Sequence, residues 1–217
     1  VVGIGSFVPN RVLSNRDLEQ MVDTSDEWIR KRTGIQRRRL ATDDQAASDL
    51  GLEASRAALE DAGLEPGELD LIVCATSTPD MFFPSTACIL QDKLGIGSIG
   101  AYDVNAGCTG FVYALAAAQG HMLAGLADTV LVVGAEITSS FSDYTDRSTC
   151  ILFGDGAGAV ILQNQPDQEV PGLSGVELGA DGSYRDILKR PSPGSAQPVD
   201  RDVLERGDQY IEMDGRT

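Results

Sequence analysis

Cys108 stands in the stretch DVNAGCTGF, between an apolar strand pattern and an Ala-rich helix pattern. That placement predicts a thiol in the first turn of a helix. Unpaired backbone N–H groups and the positive end of the helix dipole favour a thiolate there. A free thiol with a pKa of about 8.5 is roughly 3% ionised at pH 7, and one shifted to about 7 is roughly half ionised. The same N–H groups can hold an oxyanion once sulfur has attacked a carbonyl. The pattern therefore suits nucleophilic acyl chemistry; a buried, inert packing residue is the competing reading, since that is the common fate of cysteine. Cys74, Cys88 and Cys150 fall in strand-like or helix-like runs and read as packing residues. No two cysteines are spaced C-x-x-C, so no structural metal site is expected.

A thiol nucleophile needs a base or polarising partner. The single histidine, His121, lies about three and a half turns along the same predicted helix, roughly 20 Å away at about 1.5 Å per residue. It reads as structural. The partners of Cys108 must then lie elsewhere. A second chemical feature is basic: six of the seventeen Lys and Arg residues are Arg30, Lys31, Arg32, Arg37, Arg38 and Arg39. On a chain of net charge −16 this local reversal fits either an anion site, such as one for phosphate, or a solvated charge run. The overall acidity argues against non-specific nucleic-acid binding.

Two glycine patterns are set aside. Gly95–Gly100 (GIGSIG) matches a dinucleotide fingerprint in letters but follows a helix and opens a strand, the reverse of the required context. Gly154–Gly158 (GDGAG) lacks the Lys-Ser/Thr of a phosphate loop and reads as a place where two backbones approach closely.

The elements that would position these residues alternate. Strands are expected at 1–6, 69–76, 100–105, 129–136 and 158–163; helices at 18–21, 28–31, 46–62, 85–94 and 109–126. This order argues for a layered α/β fold with a mixed, mostly parallel sheet covered on both faces. With 217 residues, 42% of them hydrophobic, the chain can build one sizeable core or two small ones. No apolar run is long enough to cross a bilayer and no secretory leader is visible, so a cytoplasmic protein with reduced thiols is expected. From Asp181 the pattern fades into a Pro-rich, charged excursion ending in a short strand at 210–213. Residues 1–180 read as one structural half and 181–217 as a mobile excursion toward further polypeptide.

Five motifs in order resemble the β-ketoacyl-acyl-carrier-protein synthase III family: VDTSDEWIRKRTGI (22–35), FPSTAC (83–88), DVNAGCTGF (103–111), DRS (146–148) and FGDGAGA (153–159). The resemblance covers nearly the whole chain and implies a thiolase-like fold of two similar halves, of which this chain is the first. It implies that Cys108 is acylated by an acyl-CoA, usually acetyl-CoA, and that malonyl-acyl-carrier protein then loses CO2 and attacks the acyl-enzyme. It further implies that Trp28, Arg32, Arg147 and Thr24 contact the CoA nucleotide. Trp28 as a core anchor is the alternative. Phe83 resembles a residue that crosses a homodimer interface to limit the acyl pocket, and Phe153 resembles a pocket residue, with a plain core role equally open. The family's catalytic His and Asn come from the second half and have no matching position here. No tightly bound cofactor and no metal are implied. Two other readings remain at this stage: a related acyltransferase of polyketide or other secondary metabolism, and a non-catalytic half-protein.

Overall fold

The computed structural model describes residues 1–165 and 172–215; Arg216 and Thr217, at the end of the expected excursion, lie outside the described residues. In chain order the first elements are β1 (Gly3–Phe7), β2 (Arg11–Ser14), α1 (Asn15–Leu18), α2 (Asp26–Thr33), β3 (Arg37–Leu40), α3 (Ala47–Ala62) and β4 (Leu71–Ala75). There follow α4 (Thr86–Lys93), β5 (Gly100–Val104), α5 (Gly110–Leu123), β6 (Thr129–Ile137), β7 (Asp155–Gln163), β8 (Leu188–Lys189), α6 (Arg201–Arg206) and β9 (Glu212–Met213). They group into two compact units, each assembled from three separate segments. The first comprises Val1–Asn10, Ala41–Ile137 and Asp155–Leu178; the second comprises Arg11–Leu40, Thr138–Gly154 and Gly179–Thr217.

The first unit is built on a five-stranded sheet of order β1-β7-β6-β4-β5. It is mixed. β4 runs parallel to both β5 and β6, because helices α4 and α5 carry the chain back between these strands. β7 is antiparallel to both β6 and β1. All five residues of β4, LIVCA, are buried, which explains why it reads as one unbroken apolar run. Alternation still sorts its side chains. Ile72 and Cys74 join Leu131, Val133 and Ile161 in a core with Ala54, Ala58 and Leu59 of α3 and Leu90 of α4. Leu71 and Val73 join Val130, Val132 and Leu162 against Ala114 and Ala118 of α5. Full burial of each large aliphatic side chain stabilises by about 1.5–3 kcal/mol.

Gly3 and Gly5 set the distance between α3 and β1. A Cβ on Gly3 would lie 2.2 Å from the Ala58 carbonyl oxygen, and one on Gly5 would lie 2.1 Å from that of Ala54. The helix backbone thus rests directly on the strand. The glycine-rich stretch differs from its sequence reading in one respect: β7 already begins at Asp155, since Gly156 and Gly158 pair within the sheet. The close approach expected there falls at Gly154, where a Cβ would stand 3.1 Å from the Arg39 carbonyl oxygen. GIGSIG lies between α4 and β5, in the order that disqualifies it as a fingerprint.

In the second unit β2 and β3 pair antiparallel, and Leu13, Leu18, Ile29, Leu40, Cys150 and Ile151 form its core. Ser14 and Asp17 cap α1 reciprocally: the Asp17 N–H donates to Ser14 Oγ and the Ser14 N–H donates to Asp17 Oδ2. Ser25 caps α2 by accepting from the Trp28 N–H at 3.1 Å.

The basic run is divided rather than shared. Arg38 is 3% exposed, so it is neither an anion-site residue nor a solvated charge. Its guanidinium donates to the Ile151 carbonyl, from Nε at 3.0 Å and also from Nη2, and to Asn15 Oδ1. Asn15 in turn donates to Asp26 and to the Ile35 carbonyl, both at 2.8 Å. Replacing Arg38 by alanine strips buried acceptors of their donors. It is expected to destabilise by about 3 kcal/mol, read as a lower urea midpoint; a change under about 0.5 kcal/mol, the size typical of a surface site, would contradict the network.

Residues beyond Asp181 hold more structure than their pattern suggests. α6 is capped by Asp200 and ends on Gly207, and β8 pairs with β9, which is confined to Glu212–Met213. The Ile211 N–H donates to the Phe141 carbonyl at 2.9 Å, and Arg190 lies 5.3 Å from the Phe141 ring centroid.

Candidate active site

Two constellations stand out, one in each unit. In the first, Cys108 occupies a 3-10 turn, Gly107–Thr109, that runs directly into α5. The thiol thus precedes the α-helix by one tight turn instead of lying within its first turn. Gly107 has φ +55°, a left-handed conformation that a side chain would strain. Thr109 Oγ1 donates back to the Ala106 carbonyl at 2.9 Å and closes the turn.

Among the four free cysteines, Cys108 alone is exposed. Cys74 is 1% exposed, and burial first, then the charges of Asp103, Glu136 and Asp80, pushes its thiol far up. Burial, reinforced by Asp146, raises Cys150 as well. Cys88 is half-buried, with Sγ 3.5 Å from the Ala101 carbonyl. The packing role read for these three holds, and exposure singles out Cys108. His121 sits toward the far end of α5 with Nε2 3.2 Å from the Tyr102 hydroxyl, a structural contact as expected.

Three carboxylates of the first unit carry no signal in the sequence. Asp103 accepts from the Thr86 and Ala87 N–H groups at 2.7 and 2.8 Å, so the DVNAGC and FPSTAC motifs meet at the N-terminus of α4. Asp80 accepts from the N–H and hydroxyl of Ser48 on α3. Glu136 accepts from the Ser77 N–H and the Thr78 hydroxyl, both at 2.7 Å. Burial holds the Glu136 carboxyl above its usual range despite those donors. Between these anchors Met81, Phe82 and Phe83 project outward, and Phe83 is 85% exposed.

In the second unit Trp28 packs its half-buried ring against the Leu13–Ile29 core. The Arg32 guanidinium lies 4.7 Å from its centroid and that of Arg147 lies 5.0 Å from it. One side chain thus both packs against the core and carries two guanidinium groups near its ring. Arg147 is held by donating to the Asp23 carbonyl at 2.9 Å. The turn that carries it is tied by Asp146, which accepts from Ser148 and Thr149. Thr24 Oγ1 is buried without a hydrogen-bond partner. A flat aromatic face, two planar cations and a spare hydroxyl suit a nucleotide base and its phosphates. Phe153 is half-buried and falls in this second unit, whereas Cys108 and Phe83 fall in the first.

A cleft of about 780 Å3 opens beside the other end of α5, lined by Gln119, Met122 and Leu123 with Val1, Val2 and Leu162. At about 1.5 Å per residue, Gln119 is on the order of 16 Å along the helix from Cys108, so this cleft does not serve the thiol. Among the described residues no group of His, Cys, Asp and Glu could hold a metal ion, and no helix is long and apolar enough to cross a membrane.

Comparison with known proteins converges on one family. The family model for 3-oxoacyl-[acyl-carrier-protein] synthase III matches residues 102–182. The curated β-ketoacyl-[acyl-carrier-protein] synthase III of Sulfurovum sp. is 52% identical over 213 residues, covering 98% of this chain and 62% of that protein. The crystal structure of the synthase III from Thermus thermophilus superposes with a TM-score of 0.88 at 40% identity, covering 100% of this chain and 65% of that one. A 2.1 Å crystal structure of a 3-oxoacyl-(acyl-carrier-protein) synthase III gives a TM-score of 0.88 at 32% identity and covers 99% and 67%. The chain therefore spans somewhat under two thirds of the curated relative's length. With the motifs, the mixed sheet and the fold agreeing along the whole of the chain, it belongs to the β-ketoacyl-acyl-carrier-protein synthase III family and has that family's thiolase-like α/β fold.

Proposed function

We propose that this chain carries the acyl-accepting part of a condensing acyltransferase that starts fatty-acid synthesis. The observation that carries the reading is the solvent-facing Cys108 at the start of α5, beside three thiols that are wholly or partly buried. Cys108 sulfur attacks the carbonyl of an acyl-CoA, preferentially acetyl-CoA. A new C–S bond forms as the bond to the CoA sulfur breaks, and the CoA thiolate leaves. Malonyl-acyl-carrier protein then binds, loses CO2, and its carbanion displaces the Cys108 thiolate from the acyl carbon to give β-ketoacyl-carrier protein.

Trp28, Arg32, Arg147 and Thr24 hold the CoA nucleotide in this scheme; their clustering around one ring supports it. Phe83, presented on an exposed apolar tip, packs against a second copy of the chain and bounds the acyl pocket, with Phe153 as a further lining residue. The His and Asn that the resemblance assigns to the decarboxylation step belong to the length of the relatives that these residues do not match. The acyl donor is a substrate, and the reaction draws on no resident cofactor. Four free thiols fit a cytoplasmic location.

Incubation of the full-length protein with labelled acetyl-CoA is expected to place the label on the Cys108 peptide. Trp28→Ala should raise the KM for acetyl-CoA about tenfold, the equivalent of about 1.4 kcal/mol of binding, with kcat unchanged. Label absent from Cys108 would overturn the assignment.

A further inference from the structure

We propose that Glu136 is a positioning residue for Cys108, acting through Ser77 and Asn105. The inference rests on Cys108 being the acyl-accepting group. Its basis is the register of the three parallel strands. Ala75 of β4 lies opposite Val104 of β5 and Gly134 of β6. One or two residues beyond that row come Asn105, Ser77 and Glu136, all at the carboxyl ends of parallel strands. Open α/β sheets build their sites there.

Hydrogen bonds join the row. Ser77 uses both of its donors: its N–H goes to Glu136 Oε1 at 2.7 Å and its hydroxyl to Asn105 Oδ1 at 3.4 Å. The second carboxylate oxygen accepts from the Thr78 hydroxyl at 2.7 Å, and the Thr78 hydroxyl oxygen accepts from the Ile137 N–H at 2.8 Å. Glu136 thereby closes a ring with its own strand and fixes residues 77 and 78. The Thr76 N–H extends the same link by donating to the Val104 carbonyl at 3.2 Å. Asn105 stands three residues ahead of Cys108, and the hydrogen bonds of the Gly107–Thr109 turn are internal ones. Among the described residues, the Ser77 hydroxyl is a side-chain tether that reaches this segment from outside it.

The chemistry of Glu136 fits a positioning role better than a contribution to stability. It makes no ion pair among the described residues, so its half-buried charge is met by neutral donors alone. Such a carboxylate is costly to keep unless its geometry matters. A glutamine would retain one carbonyl acceptor for the Ser77 N–H, whereas alanine would free residues 77 and 78 together.

The test compares the parent protein with Glu136→Ala, Glu136→Gln and Ser77→Ala in the full-length chain. Two rates are read at Cys108: alkylation by iodoacetamide, followed on its peptide, and acylation by acetyl-CoA. Glu136→Ala is expected to slow alkylation at least threefold and to lower kcat for acylation at least tenfold, with KM for acetyl-CoA within twofold. Glu136→Gln should stay within threefold of the parent in both rates, and Ser77→Ala should fall between them. A role in stability alone would lower the unfolding midpoint while leaving both rates per folded molecule at the parent value, and that result overturns the proposal. So does a raised KM with unchanged kcat. If Glu136→Ala does not fold, Ser77→Ala decides: rates within twofold of the parent reject the tether. If the parent takes no acetyl label, the acyl-enzyme reading fails, and the alkylation rates still report on the positioning of the thiol.

Discussion

Cys108→Ala is expected to lower acyl transfer from acetyl-CoA by about 10⁴-fold or more, because the substitution deletes the attacking atom and leaves only binding and oxyanion contacts. In free-energy terms that is a loss of at least about 5.5 kcal/mol of transition-state stabilisation. The fold should not notice. The side chain is exposed and its turn is closed by Thr109, so the unfolding midpoint should move by no more than about 0.5 kcal/mol, as at other surface sites. Acetyl-CoA should still bind, since the Trp28 cluster lies in the other unit. The measurement is acyl-enzyme formation in rapid-quench experiments, with nucleotide affinity taken separately by titration. Appreciable turnover in Cys108→Ala would move the chemistry to another residue.

Gly5→Ala should produce the opposite result, a collapse of stability with the chemistry untouched in whatever fraction folds. The added methyl would lie 2.1 Å from the Ala54 oxygen, 2.4 Å from the Ala58 nitrogen and 2.9 Å from the Ala57 carbonyl carbon. All three are backbone atoms of α3, so no side-chain rotation relieves the clash. The helix must lift from the sheet, opening gaps between Ala54, Ala58 and the Ile161 layer. A loss of about 4 kcal/mol or more is expected, a large fraction of the stability of an ordinary domain. Gly97→Ala is the control: nothing lies within 4 Å of its added carbon, and it should change stability by about 0.5 kcal/mol at most. Urea unfolding followed by circular dichroism reads both. A Gly5→Ala protein within about 1 kcal/mol of the parent would show that α3 and β1 do not touch in solution.

The contrast between these two residues also shows what the sequence could reveal. Helices α3, α4 and α5 were legible because each repeats an apolar face over two or more turns, and β4 and β6 because a doubly covered strand is one apolar run. β3 was not: RRRL reads as charge, and only the structure shows that Arg38 points inward to Ile151 and Asn15. β8 has two residues, too few for any period, whereas β9 falls inside the short strand expected at 210–213. At the site, Cys108 was visible through its place between a strand and a helix, whereas Trp28 and Arg32 came only through the family resemblance. Asp103 and Glu136 were not, because each holds backbone groups far away along the chain, and no local pattern encodes that. Arg147 was found by motif alone; its seat on the Asp23 carbonyl is a tertiary contact.

The pairing of Gly3 with Ile161 has a consequence for biosynthesis. A ribosome adding roughly 5–20 residues per second needs on the order of ten to thirty seconds to make the polypeptide between β1 and its partner β7. For that interval β1 has no sheet to join, and an open, glycine-containing strand edge is a template for pairing with other nascent chains. α3 emerges much sooner, and the two glycines let it lie flat on β1 before any other strand of that sheet is complete. The close fit that fixes the finished layer is thus also the earliest cover available to the new chain. Substitutions at Gly3 or Gly5 are expected to show first as aggregation during expression, ahead of any loss of activity in the purified protein.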